Sequence, residues 1–254
     1  MSFLAALQFL TSIPIPLKRE FTPAQLGRAT TCFPLVGLII GLVLAGLNWL
    51  LNYILPQSVI NILLIIALVI ITGALHLDGF ADTCDGIGGH KTVEERWRVM
   101  RDSRTGAFGV VGIALLLLSK YVSLNNVPQE WMTAVLIFMP VVSRWAMVYA
   151  IFAYPYARPE GLGTVYKNAT RWPEFTIATL ITLAIAGALF SLFSYVGLIL
   201  IGGTFIVTTG LAFYLKHKFA GLTGDTYGAI NEVAEVMVLL IVVIIFTVAP
   251  DLLK

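Results

Sequence analysis

Three aspartates with helical spacing follow a strongly apolar stretch of the sequence. The segment LHLDGFADTCDGIGGH, Leu75–His90, contains Asp78, Asp82 and Asp85. On an α-helix, positions i, i+4 and i+7 fall within a narrow arc, so the three carboxylates would point in the same direction. A cation would relieve their repulsion, and an all-oxygen ligand set suits Mg²⁺, Mn²⁺ or Ca²⁺ rather than zinc. The pattern predicts a divalent-cation site; the alternative is a solvated loop whose acids balance nearby basic residues.

The sequence that follows adds arginines to these carboxylates. The segment KTVEERWRVMRDSRTGAFGV, Lys91–Val110, contains Arg96, Arg98, Arg101 and Arg104. A divalent cation together with guanidinium groups neutralises phosphate oxygens during phosphoryl transfer. The combination predicts phosphate chemistry. The alternative is that the arginines reflect the basic bias of cytoplasmic loops and contacts with lipid headgroups.

A second group of acids lies toward the C-terminal end of the chain, at Asp225, Glu232 and Glu235. Glu232 and Glu235 are three residues apart and would share one helical face. Ligands of a second metal ion and ordinary acids near a helix N-terminus fit this pattern equally well. The sequence leaves both interpretations open.

The composition identifies the class of protein that must position these residues. Hydrophobic residues make up 58% of the chain, charged residues 12%, and the mean hydropathy is +0.90. Soluble domains lie far from these values. A helix that crosses the hydrocarbon needs roughly 20 mostly apolar residues. Seven such windows occur, at 33–55, 58–77, 107–124, 132–153, 175–193, 195–215 and 233–248.

The N-terminal segment MSFLAALQFLTSIPIP is apolar but too short to span, so we expect it to form an interfacial or re-entrant helix. The predicted fold is an all-α, polytopic membrane bundle of about seven transmembrane helices in a single domain, 1–254. Two cysteines, Cys32 and Cys84, provide no disulfide framework. The net charge of +2 argues against a nucleic-acid partner.

Basic residues orient this bundle. With seven crossings, 13 of the 16 Lys and Arg residues fall on the side of the N-terminal segment, which identifies that side as the cytoplasm. Twelve of the 14 acids fall there too, although the rule places no demand on acids. We therefore expect an active face at the cytoplasmic surface, with the carboxylates of Asp82 and Asp225 in one polar cavity.

Three polar residues fall within or beside the apolar windows. A charge exposed to lipid at the bilayer centre costs at least ~2.5 kcal/mol, so Arg144 should face the bundle interior and bind an acid or a substrate phosphate. Lys120 lies near the outer end of its window and is expected to reach the interface. His76 is a candidate for a hydrogen bond to a ligand carboxylate or to substrate.

Four separate motifs carry a resemblance to a known family. The segments HLDGFADTCDGIGGH, MRDSRTGAFGV, RPEGLG and GLTGDTYGAINE, in this order, resemble the cobalamin synthase family of adenosylcobinamide-GDP ribazoletransferases. The resemblance extends from the N-terminal segment to the last window. It implies an inner-membrane, Mg²⁺-dependent enzyme of late vitamin B12 assembly. Such an enzyme joins adenosylcobinamide-GDP to α-ribazole or its 5′-phosphate and releases GMP.

The resemblance carries the acidic signature of the family onto Asp78, Asp82 and Asp85, and a second acidic motif onto Asp225. The residues expected to bind metal are Asp78, Asp82, Asp85, Asp225 and Glu232. Those expected to act in catalysis are Asp82, Asp225, Arg104 and Arg144. Those expected to bind substrate are Arg101, Asp102, Ser103, Arg158, Gly224 and His76. The form of the acceptor, homo-oligomerisation and association with other B12-assembly enzymes stay open; membrane lipid surrounds the bundle.

Two other functions are alternatives. A CDP-alcohol phosphotransferase also binds metal through aspartates at a cytoplasmic helix end, but its signature places an arginine after the alanine, where this chain has Asp82 directly after Ala81. A transporter would need binding groups near the membrane midplane. Apart from Arg144 and Lys120, the windows contain no such groups.

Overall fold

The computed structural model describes residues 1–14, 21–89, 92–158, 162–190 and 195–248. Residues 159–161, which belong to the quoted RPEGLG motif, lie outside these ranges. The described residues form helices without a β-strand, which confirms the all-α fold class. The helices are α1 (Ser2–Leu10), α2 (Pro23–Ala29), α3 (Phe33–Leu51), α4 (Gln57–Thr72), α5 (Leu75–Ile87), α6 (Val93–Val99), α7 (Ala107–Asn125), α8 (Gln129–Ala153), α9 (Leu162–Ala169), α10 (Trp172–Ala188), α11 (Val196–Phe219) and α12 (Gly224–Val248).

Five helical segments of the described chain are long and apolar enough to cross a membrane. They are Ala24–Leu51, which joins α2 to α3, and the helices α7, α8, α11 and α12. Helices α4 and α5 form a sixth segment only if taken together, and they meet at a bend of 91°. Helix α10, in the fifth predicted window, has 17 residues. The chain is thus a multi-pass membrane protein, and the count of seven crossings stays a prediction.

Helix α8 is the centre of the bundle. Nearly all of its residues between Trp131 and Ile151 are buried, as expected for a helix that is apolar on every side. Its most extensive contact is with α3, where Gly37 lies against the backbone of Pro140 and Val141. Glycine allows two membrane helices to approach this closely because it has no side chain.

Helix α1 packs against α2 and α3 and buries Ala5, Ala6 and Leu10. The predicted N-terminal helix is therefore present, and its position at the membrane interface stays a prediction. By contrast, α7 and α11 expose large apolar side chains such as Leu118 and Phe213. Such surfaces suit contact with lipid.

Basic and indole side chains bind the C-terminal ends of three helices. Arg96 donates to the last carbonyls of α5 at 2.6 and 3.0 Å, and Lys167 donates to those of α8 at 2.7 and 2.9 Å. Trp97 Nε1 donates to the last carbonyl of α11 at 3.1 Å. These carbonyls have no partner within their helices. Burial lowers the pKa of Lys167. Part of the basic bias on this face therefore stabilises helix ends.

The contact between α3 and α8 predicts a difference between two glycines of α3. A Cβ at Gly37 would lie 2.7 Å from the carbonyl carbon of Pro140, whereas a Cβ at Gly46 would meet nothing within 4 Å. We expect Gly37→Ala to lower the free energy of unfolding by about 1–3 kcal/mol because the helices must move apart. Gly46→Ala should leave it unchanged or raise it by up to about 1 kcal/mol. Thermal unfolding of the purified variants in detergent measures the difference, and equal stabilities would contradict the contact.

Candidate active site

Helices α5 and α12 cross with their backbones almost in contact. A Cβ at Gly79 would lie 2.9 Å from the Cα atom of Asp225, and a Cβ at Gly228 would lie 3.1 Å from the Cα atom of His76. The two contacts occur in opposite order along the two helices, so the helices are antiparallel where they cross. The first and second acidic motifs are thereby brought together.

The N-terminal end of α12 is held by reciprocal capping. Thr223 Oγ1 accepts a hydrogen bond from the backbone N–H of Thr226 at 3.2 Å, and Thr226 Oγ1 accepts one from the backbone N–H of Thr223 at 2.7 Å. Such bonds satisfy N–H groups that lack partners inside a helix. Asp225 is thus fixed in the first turn of α12.

A loop from the end of α8 brings an arginine to this aspartate. Tyr156 pairs with Leu222 in an isolated parallel bridge, in which Ala157 N donates to the Leu222 carbonyl at 2.7 Å. The next residue, Arg158, reaches Asp225, with Nη2 at 3.3 Å from Oδ2. Both side chains are partly exposed, so this pair contributes at most about 1 kcal/mol of stability.

The three aspartates of α5 have different surroundings. The carboxylate of Asp85 accepts backbone hydrogen bonds from Gly106 at 2.7 Å and from Gly109 at 2.9 Å, at the start of α7. A carboxylate is stabilised there by free N–H groups and by the helix dipole. Asp85 therefore fixes α5 to α7, whereas Asp82 is half-buried and Asp78 is exposed.

A cavity of about 190 Å³ adjoins the crossing, and we call it the α5–α12 cavity. Asp78 and Asp225 both line it, as do the predicted residues His76 and Gly224. Asp82, which we expected to share a cavity with Asp225, does not line it, because Asp78 is the aspartate adjacent to the crossing at Gly79. The negative charges of Asp78 and Asp225 are nevertheless close enough to Asp82 to repel its carboxylate.

The carboxylates at the crossing of α5 and α12 are candidates for a partial set of cation ligands. In the described ranges no three His, Cys, Asp or Glu side chains come together in a way that could hold a metal ion. Mg²⁺ is usually bound by one or two carboxylates, with water and substrate phosphates as its other ligands. The hard oxygen donors of Asp78, Asp82 and Asp225 fit such a partial set.

Glu232 and Glu235 belong to a separate cluster inside the bundle. Lys120 Nζ donates to Glu232 at 2.6 Å and to Glu235 at 2.5 Å, and Arg144 pairs with Glu235. All four side chains are nearly fully buried. Two cations and two anions balance each other, as charges in a low-dielectric interior require. We call this the buried charge cluster.

The buried charge cluster bears on three expectations. Glu232, an expected metal ligand, is bound by Lys120 in the bundle interior rather than placed with Asp225 at the crossing. The expectation that Lys120 reaches the interface is wrong, because acids of α12 hold it in the interior. Arg144 faces the interior as predicted, where its partner is Glu235, and it does not line the α5–α12 cavity.

The arginine-rich segment after α6 is exposed. Arg104 binds Asp102 through two hydrogen bonds, of 3.0 Å from Nε and 2.8 Å from Nη2, and these lower the pKa of Asp102 to about 2. Asp102 and Arg104, together with Asp85, line an open depression that is separate from the α5–α12 cavity. Arg101 and Ser103 are also exposed. None of the four predicted residues of this segment, Arg101 to Arg104, lines the α5–α12 cavity.

Three aromatic residues of the cavity were absent from the sequence prediction. Phe9, Tyr166 and Tyr227 line it from α1, α9 and α12. Tyr227 lies inside the quoted GLTGDTYGAINE motif, which was a usable signal. Nothing in the local pattern of Phe9 or Tyr166 distinguishes either from an ordinary core residue.

The chain is similar to known proteins over nearly its whole length. It matches the family model described as cobalamin-5-phosphate synthase over residues 2–243. An adenosylcobinamide-GDP ribazoletransferase of Geotalea daltonii is 38% identical over 96% of this chain and 97% of its own length. Proteins of the same name from Syntrophobacter fumaroxidans and Shewanella amazonensis are 37% and 33% identical over 93% and 96% of this chain, and 96% and 95% of their own lengths. No solved structure matches the chain.

The buried charge cluster predicts that loss of Lys120 destabilises the bundle. Lys120→Met leaves two buried carboxylates with one cation, so we expect the free energy of unfolding to fall by about 3–5 kcal/mol. Adding Glu232→Gln should recover part of this loss because one negative charge is removed as well. The control Lys218→Met, at the end of α11, should change stability by less than about 1 kcal/mol. Thermal unfolding in detergent compares the four proteins; equal effects of the two lysine variants would rule out the cluster as a stabilising element.

Proposed function

The chain belongs to the cobalamin-5-phosphate synthase family, and on this premise we propose that it acts as an adenosylcobinamide-GDP ribazoletransferase of vitamin B12 synthesis. The observation that carries the proposal is the shared α5–α12 cavity. Asp78 and Asp225 come from two separate motifs and line the same space, with Arg158 beside Asp225. Carboxylates and a guanidinium group at one position suit a reaction at a diphosphate.

In the proposed reaction, a ribose hydroxyl of α-ribazole or its 5′-phosphate attacks the phosphate attached to the corrinoid arm. The new bond joins this phosphorus to the ribose oxygen, the bond to the second phosphate breaks, and GMP leaves. An aspartate carboxylate at the crossing of α5 and α12 accepts the hydroxyl proton. Arg158 donates hydrogen bonds to phosphate oxygens, exchanging its partner Asp225 for the substrate.

We assign Mg²⁺ to the carboxylates of Asp78, Asp82 and Asp225. When bound, it would neutralise phosphate oxygens and stabilise the charge that develops on the departing group. Asp85 is engaged at the start of α7, so its role in this proposal is to hold α5 in position. Arg104 lies on the exposed segment and is proposed to meet the part of the substrate that extends beyond the cavity.

The proposed location is the cell inner membrane, with the active face toward the cytoplasm. The basic residues that bind the ends of α5 and α8 lie on the face that the charge count assigns to the cytoplasm, and so does Asp225. Homo-oligomerisation and association with other B12-assembly enzymes stay predictions of the family resemblance. A transporter is less well supported, because Arg144 and Lys120 form ion pairs inside the bundle.

The proposal predicts the effect of two carboxylate-to-amide changes. Asp82→Asn and Asp225→Asn should each lower turnover by about 100-fold or more, because each removes a carboxylate charge assigned to the cation while side-chain volume is kept. The control Glu130→Gln, at the opposite end of the bundle, should retain activity. The assay measures release of labelled GMP from adenosylcobinamide-GDP by membranes, with α-ribazole, in Mg²⁺ or in excess chelator. Full activity of either aspartate variant, or turnover that chelator does not affect, would contradict the assignment.

A further inference from the structure

The α5–α12 cavity has an aromatic wall in addition to its carboxylates. Phe9, Tyr166 and Tyr227 line it, next to the apolar side chains of Met147 and Ile151. The ring centroids of Phe9 and Tyr166 are 4.8 Å apart. Apolar and aromatic walls with a few polar groups are typical of sites that bind organic ligands.

Two buried polar side chains of this cavity have atoms without partners in the described part of the chain. His76 is 2% exposed, and neither Nδ1 nor Nε2 has a hydrogen-bond partner there. Tyr227 is 4% exposed, and its hydroxyl likewise has none. Buried polar groups in native proteins are nearly always hydrogen-bonded. Groups of this kind in the lining of a cavity point to a ligand that supplies their partners.

The proposed reaction brings together three organic groups, namely the corrinoid, guanine and α-ribazole. Their size and chemistry decide which of them suits the cavity. A corrinoid macrocycle with its side chains is far larger than a cavity of about 190 Å³. Guanine presents donors and acceptors around most of its edge, and with Asp78 and Asp225 assigned to the cation, His76 and Tyr227 alone cannot satisfy them. The base of α-ribazole is a planar fused ring, mostly carbon, with one free ring nitrogen, and its ribose carries hydroxyl groups. This combination matches an aromatic wall with two isolated polar groups.

We propose that the α5–α12 cavity is the binding site of the acceptor nucleoside, with its heteroaromatic base against Phe9, Tyr166 and Tyr227. The ribose then lies toward Asp78 and Asp225, where its hydroxyl meets the diphosphate. The Tyr227 hydroxyl donates to the free ring nitrogen, and His76 binds a ribose hydroxyl. The inference rests on the proposed function, because that function supplies the choice of ligand.

Direct binding tests the site without turnover. Equilibrium dialysis of labelled α-ribazole against the full chain in lipid nanodiscs, with no divalent cation and no second substrate, measures Kd. Tyr227→Phe and His76→Leu should each weaken binding about ten-fold because each removes a hydrogen bond to the ligand. Phe9→Ala should weaken it by a similar factor because the base loses an aromatic contact. The control Tyr149→Phe removes a hydroxyl that bonds Thr209, outside the cavity lining, and should bind like wild type.

Steady-state kinetics separates this inference from the proposed function. Tyr227→Phe, which keeps the side-chain volume, should raise KM for α-ribazole about ten-fold and leave KM for adenosylcobinamide-GDP unchanged. A rise in KM for the GDP substrate instead, or unchanged α-ribazole binding in all three cavity variants, overturns the assignment of the cavity. If wild type releases no GMP from the substrate pair, the proposed function itself fails, whatever the variants bind.

Discussion

Two glycines allow α5 and α12 to cross in near contact, and the position of the carboxylates depends on this approach. Gly79 faces the backbone of Asp225, and Gly228 faces that of His76. A side chain at either glycine would separate the helices and move Asp78 away from Asp225. The surrounding contacts maintain the crossing: Asp85 holds α5 to the start of α7, and the bridge between Tyr156 and Leu222 positions Arg158. A short contact between two backbones thus sets the geometry of Asp78 and Asp225, which are 147 positions apart in sequence.

Helix α12 shows how burial divides acids of one helix between different roles. Asp225 is in the first turn, partly exposed, with one long ion pair to Arg158. Glu232 and Glu235 lie two to three turns further into the bundle, where an uncompensated charge would be very costly. Lys120 and Arg144 neutralise them there. The open end can therefore present negative charge to a ligand, whereas the buried end is electrically balanced.

Much of the fold could be predicted from the sequence. A segment that crosses lipid must be apolar and must hydrogen-bond its backbone groups within its own helix, so a long run of high hydropathy indicates a helix. Each of the seven apolar windows contains a helix, and Asp78, Asp82 and Asp85 do share one helix, as their spacing predicts. The 91° bend before that helix was not predicted, since Gly73 and Ala74 carry no distinctive pattern. The ion pair of Lys120 and the backbone contacts of Asp85 were not predicted either. Both depend on partners supplied by other helices, Glu232 for the first and the backbone of Gly106 for the second, and spacing along the chain does not reveal them.

The central claim is that the two acidic motifs act on one substrate at one position. Crystals of the full chain grown with Mn²⁺ and a non-reactive analogue of the GDP substrate would locate the cation by its anomalous signal. The account predicts a signal at the crossing of α5 and α12, between the carboxylate of Asp225 and those of Asp78 or Asp82, in contact with the diphosphate. A signal bound by α5 alone and distant from Asp225, or one beside Arg104 in the open depression, would contradict it.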